Sequence, residues 1–143
     1  MPGPWVTIPE VTRRVADVLS KDVDALDPKW ASLIDDALQA ATTEILGAML
    51  ARGYAPAQVD AWDRRREFTI HLVKFWALTE GALLANYTDA MLAKVDRRGE
   101  LAEVNFTING VLVQPGSAQS VATPAVGRLS EAGYRGVRFD TEY

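Results

Sequence analysis

Apolar residues recur at helical spacing through the first hundred positions and then switch to strand-like alternation. Thr7 to Ser20 predicts a short first helix. Pro9 sits in its first turn, Val11, Val15, Val18 and Leu19 form one stripe, and Arg13, Arg14 and Asp17 fall towards solvent. The second helix carries the strongest signals. Asp27 suits the cap, and Pro28 suits the first helical position, where its missing N–H costs nothing. Trp30, Leu33, Ile34, Ala37, Leu38, Ala41, Ile45 and Met49 then repeat every three or four residues, opposite Asp35, Asp36, Gln39, Thr43 and Glu44. Arg52 lies in the last turn, and Gly53 can take the left-handed stop.

Pro56 opens a third helical stretch, with Asp60 as a restart point, expected to run to about Tyr87. Between Phe68 and Leu84, eleven residues are apolar and they cover more than one face. Such a helix is buried on several sides. A domain this small leaves little room to surround it, so a neighbouring subunit is expected to cover part of it. Thr88 or Asp89 can cap a last helix, Ala90 to about Arg98, closed near Gly99.

The period changes at Val104. Asn109-Gly110 is the preferred pair for a two-residue type I′ turn, because both positions need positive φ. That turn pairs Ile108 with Val111 and Phe106 with Val113, and puts all four on one face with Val104. A lone two-stranded hairpin is marginal in water, so this face needs cover from the chain's own helices or from a partner strand. From Pro115 to Tyr143 the composition shifts again: 13 of 29 residues are Gly, Ala, Ser or Thr, too little apolar surface for a core. At the very end Val137, Phe139 and Tyr143 fall at even spacing, with Arg138, Asp140 and Glu142 between them. That alternation reads as a strand suited to adding onto an exposed sheet edge, or as a frayed terminus. The expected fold class is mainly α: a helical bundle of about four helices over residues 1–103, a β-hairpin over 104–114 and an extended C-terminal arm over 115–143.

Composition narrows the function. With 48% hydrophobic and 24% charged residues the chain is ordinary for a globular domain, which argues against disorder throughout. A net charge of −4 lacks the basic footprint of a dedicated nucleic-acid binder. The absence of cysteine removes disulfides, thiolate metal sites and cysteine nucleophiles. His71, the one histidine, sits inside the apolar third helix and reads as a satisfied core or interface residue. No HExxH, GxSxG, Walker A or GxGxxG spacing occurs. The carboxylate pairs Asp22 with Asp24, Asp35 with Asp36, and Asp60 with Asp63 read as solvated faces, since adjacent helical residues diverge by about 100°. No catalytic residue, cofactor or metal is expected. The start lacks the regions of a secretory leader, and no apolar run reaches membrane-spanning length, so no membrane association is expected.

Arg64-Arg65-Arg66 is the main basic run. On a helix three consecutive arginines fan over most of the circumference, and Asp60, Asp63 and Glu67 lie within pairing range. Ion pairs are the first reading of these arginines and contact with DNA the second.

The order of elements resembles small phage and prophage head–tail connector (adaptor, or head-completion) proteins. The resemblance rests on Asp27-Pro-Lys-Trp30 leading into the amphipathic helix to Gly53, the aromatic-rich helix with Arg-Arg-Arg-Glu-Phe68 and Phe75-Trp76, and the Asp89–Arg98 helix. It covers roughly residues 5 to 113 as a pattern of elements and includes no diagnostic motif. It implies a homo-oligomeric ring, a dodecamer, in the virion neck and assembled in the host cytoplasm. The ring would dock to the portal protein and meet a tail-side neck or tail terminator protein. Genomic DNA would pass through its lumen without sequence-specific binding. The hairpin face (Val104, Phe106, Ile108, Val111, Val113) and the terminal strand (Val137, Phe139, Tyr143) are the expected contacts. A small helical nucleic-acid or protein-binding module is the competing reading.

Overall fold

The computed structural model describes residues 3–116. Within them run α1 (Ile8–Val18), α2 (Trp30–Ala51), α3 (Pro56–Asp60), α4 (Arg65–Glu80), α5 (Ala82–Ala85) and α6 (Asp89–Val95), followed by a hairpin of β1 (Thr107–Ile108) and β2 (Val111–Leu112). Short 3₁₀ turns at Val23–Ala25 and Arg98–Ala102 join the helices. The described residues are thus mainly α with one small antiparallel hairpin, the class that periodicity predicts. The expected arm with Val137, Phe139 and Tyr143 lies outside the described residues.

The first two helices form for the reasons their residues suggest. The Thr7 hydroxyl caps α1 by accepting from the Glu10 N–H, and Val11, Val15 and Ala16 are buried. The Asp27 carboxylate accepts from the Lys29 N–H at 2.9 Å and opens one tight turn, with regular α-helix starting at Trp30. Trp30, Ile34, Ala37, Leu38, Ala41, Ile45 and Met49 are buried and Leu33 packs at their edge. Gly53 has φ +99, and the Tyr54 and Gly53 N–H groups close on the Met49 and Leu50 carbonyls, the double bond of a left-handed helix stop.

The third stretch breaks into α3, α4 and α5: the first break follows the restart point expected at Asp60, and the second, short of Tyr87, departs from expectation. The first break has a physical cause in two residues. The Asp63 N–H donates to the Thr107 carbonyl of the hairpin at 2.9 Å, and the Trp62 side chain turns fully inward. The second falls at Gly81, where Trp30 lies so close that a Cβ would sit 2.5 Å from its ring. The chain then makes one more turn and stops at Asn86, which is left-handed at φ 53.

The apolar faces of α4 also find their cover within the chain. Phe68, Ile70, Leu72, Val73, Phe75, Ala77 and Leu78 are buried, chiefly by α2, with α1 and α6 on other sides. A second subunit is therefore not needed to cover this helix. Leu83 and Leu84, beyond Gly81, are exposed, Leu83 at 95%. The last helix ends at Val95, earlier than expected, with Thr88 as its cap.

Four rings tie these elements together. Tyr54 stacks on Phe106 with centroids 3.8 Å apart, Phe106 on Trp62 at 5.5 Å, and Trp62 on Phe68 at 5.3 Å. The Tyr54 hydroxyl donates to the Val113 carbonyl at 2.8 Å, and Arg52 reaches the Leu101 carbonyl at 2.8 Å. The end of α2 thereby grips both the 3₁₀ turn before the hairpin and the strand leaving it.

Two glycines separate sterics from helix propensity. Gly81→Ala forces a methyl against Trp30 and is expected to lower stability by about 1–3 kcal/mol. Gly47→Ala, on the exposed face of α2 with open space around it, is expected to raise stability by about 1 kcal/mol. Urea denaturation of both variants checks the pair; equal effects would contradict the packing of Trp30 on the α4–α5 junction.

Candidate functional site

The hairpin follows from the two residues at its tip. Asn109 and Gly110 have φ 52 and 80, and the register pairs Thr107 with Leu112 and Ile108 with Val111. The Val113 N–H donates to the Phe106 carbonyl at 2.8 Å, extending the expected pairing one step towards the root. Two-residue strands cannot hold a hairpin by themselves. Asp63 supplies the missing support from the link between α3 and α4. Its Oδ1 accepts from the Asn109 N–H at 2.8 Å, and its Oδ2 accepts from the Gly110 N–H at 2.8 Å and the Thr107 hydroxyl at 2.7 Å. These hydrogen bonds, the one from Gly110 first, hold the Asp63 carboxyl below its usual range.

The expected hairpin contacts separate by depth. Val104, Phe106 and Val113 are buried in the chain's own core, so they are not surface for a partner. Ile108 is half-buried. Val111 and its neighbour Leu112 stand 55% and 53% exposed. Of the apolar hairpin positions it is the tip that faces outward, and Leu112 joins it although alternation placed it on the opposite face.

A charged seam lies along the start of α4. Arg64 makes a two-pronged bond to Glu67 (2.9 and 2.6 Å), and Arg97 makes another to Glu100 (2.8 and 2.7 Å). Arg97 also donates to His71 Nε2 and lies 3.7 Å from Glu67. Both guanidiniums sit over Phe68, at 4.9 and 5.6 Å from the ring centre. Beside them Arg98 pairs with Asp96 and stacks on Phe75 at 4.0 Å. An open groove of about 610 Å³ runs along Arg64, Asp96, Arg97, Glu100, Glu103 and Asn105. Both signs of charge line it in near balance, which favours no single-sign ligand.

The three arginines diverge as the helical fan predicts. Arg64 takes Glu67, Arg65 donates to the Trp62 carbonyl at 2.8 Å, and Arg66 pairs with Glu10 and donates to the Trp5 carbonyl at 3.1 Å. Asp60 and Asp63 do not pair with them. Asp60 accepts from Trp5 Nε1 at 2.7 Å and from the Gly3 N–H at 3.3 Å, fastening the N-terminal segment. Sequence reasoning placed a restart at Asp60 but missed these anchors, because it set both carboxylates within helical pairing range of the arginines. A tryptophan set among charges, Asp60-Ala-Trp-Asp-Arg, is the signal that could have marked the break.

Asp22, Asp24, Asp35 and Asp36 are exposed, as expected of solvated faces. Among the described residues no group of three His, Asp or Glu side chains could hold a metal ion, and no helix is long and apolar enough to cross a membrane. No protein-family model, curated protein or solved structure matches the chain.

His71 gives the seam a pH dependence. Arg97 can donate to Nε2 only when the imidazole is neutral, with its proton on Nδ1. Burial first, then the Arg97 and Lys74 charges, push His71 below its usual value, against the opposing pull of Glu67. Unfolding therefore takes up a proton, so stability is full above about pH 6.5 and declines below it. Glu67 and Glu100, held below the usual 4.5 chiefly by hydrogen bonds from Arg64 and Arg97, lose their contribution in a second, more acidic window. His71→Gln keeps an acceptor for Arg97 and does not titrate. Between about pH 7 and about pH 5.5 the wild-type urea midpoint is expected to fall and that of the variant to hold. Equal losses in both proteins would remove His71 from this role.

Proposed function

We propose that the chain is a structural subunit of a viral neck, forming a ring that docks to a portal and continues its channel for DNA. The observation that carries this reading is the hairpin. Its root is locked into the helical core, its turn is held by Asp63, and its tip presents Val111 and Leu112 to the outside. The strand leaving the hairpin stays attached to the bundle, with the Gly116 N–H donating to the Gly53 carbonyl at 3.0 Å. The alternating end at Val137, Phe139 and Tyr143, read from the sequence alone, lies outside the described residues. A helical block with a stiff projection and a long terminal segment suits assembly, and it agrees with the element order that resembles head–tail connectors. Of the competing reading, a small helical nucleic-acid or protein-binding module, the nucleic-acid form using Arg64 to Arg66 has less support, since all three already bind partners within the chain.

Electron microscopy of the protein mixed with purified portal tests the proposal, and a ring extending the portal channel is the expected result. Replacing both tip residues, Val111→Ser with Leu112→Ser, should change stability by no more than about 0.5 kcal/mol per site, as for exposed positions generally, and should abolish the added density. Wild-type protein that never adds density to a portal would sink the neck reading. Salt-dependent DNA binding by that protein would then favour the module.

A further inference from the structure

We propose that Asn109 is a modification site, a spontaneous deamidation point whose chemistry Asp63 holds in check. Asn109 and Gly110 are both exposed at the hairpin tip. Asparagine followed by glycine is the pair in which the next backbone nitrogen most readily attacks the side-chain amide, because no Cβ shields that nitrogen. The Gly110 nitrogen gives its proton to a solvent base and bonds to Asn109 Cγ. The Cγ–Nδ2 bond breaks and ammonia leaves with a proton from solvent. Water then opens the succinimide ring to aspartate or isoaspartate at position 109. No oxidant, metal or cofactor takes part.

The nucleophile of this reaction is already engaged. The Gly110 N–H donates to Asp63 Oδ2 and the Asn109 N–H to Oδ1, both at 2.8 Å. Two effects oppose ring closure. A carboxylate against the Gly110 nitrogen disfavours its deprotonated form, as any like charge does. The same bonds hold the turn at φ 52 and 80, and any backbone adjustment that ring closure needs has to break them. The product is also not neutral for the fold. Isoaspartate puts an extra methylene into the backbone, which the two-residue turn pairing Ile108 with Val111 cannot absorb. Whatever lifts the tip from Asp63 therefore starts a clock whose isoaspartate product does not return to the hairpin. This inference stands whether or not the chain is a neck protein.

Full-length protein incubated in mildly alkaline buffer and mapped by mass spectrometry reports the gain of one mass unit and the isoaspartate at position 109. Native wild type is expected to react far more slowly than the same protein in urea. Asp63→Ala and Asp63→Asn should each raise the native rate by about tenfold, the scale set by one hydrogen bond to a charged acceptor, while amides in α2 and α4 stay protected from exchange. Asp63→Asn is nearly isosteric and carries the comparison if the alanine variant loses its fold. A native wild type as fast as the urea sample overturns the proposal, and so does an Asp63→Asn rate equal to that of wild type.

Discussion

The ladder of Tyr54, Phe106, Trp62 and Phe68 is the constraint on which the rest of the fold depends. Each ring comes from a different part of the chain: the exit of α2, the entry to the hairpin, the link between α3 and α4, and the first turn of α4. Stacked pairs contribute about 0.5–1.5 kcal/mol each beyond the area they bury, and here three pairs in series also set the spacing of four segments. The ladder has a cost. Among the described residues Trp62 Nε1 is buried with no hydrogen-bond partner, a penalty of about 1–3 kcal/mol. The ring stays because it stacks against both Phe106 and Phe68. A continuous helix from Pro56 to Tyr87 cannot place Trp62 there, so the ladder and the helix break require each other.

The break in turn frees polar groups that a helix would consume. The Asp63 N–H, released from a helical partner, binds the Thr107 carbonyl, and its carboxylate takes three donors from the hairpin. Asp60 does the same for the N-terminal segment through Trp5 and Gly3. Exposed Arg–Glu pairs such as Arg64 with Glu67 hold little stability by themselves, about 0–1 kcal/mol. The acids that bind backbone N–H groups decide more, because each fixes a segment with no other ladder to hold it. Charge within this link therefore serves architecture before recognition.

What the sequence revealed depended on whether a signal was local. The α2 stripe, the Gly53 stop and the register of the Asn109-Gly110 turn are written within a few residues, and all appear as read. A restart near Asp60 was legible, but the irregular link at Trp62 and Asp63 was not, since its cause lies more than forty residues away in Thr107 and Phe106. The Gly81 break depends likewise on Trp30, 51 positions upstream. The apolar circumference of α4 was read correctly as buried, but its cover was assigned to another subunit. The bundle in fact wraps the helix by folding α6 and the following 3₁₀ turn back over it, with Arg97 and Arg98 laid across Phe68, Phe75 and Trp76. Arginine stems and planes cover apolar surface, and a scan counting only apolar residues does not register them.

The hairpin shows how these elements combine into something usable. Successive strand residues point to opposite faces, so exposure of both Val111 and Leu112 means that both faces of β2 stand clear of the helices. An apolar tip of that kind would splay or slide in water if only its own ladder held it. Three bonds to Asp63 at the turn and the buried Phe106 and Val113 at the root clamp it from both ends. On the proposed neck reading, a partner that closes over the tip would meet a shape already formed, the ordering cost that weakens contacts with loose segments having been met within the fold. The clamp that holds the tip in shape is the same one that keeps the Asn109-Gly110 pair from its own chemistry.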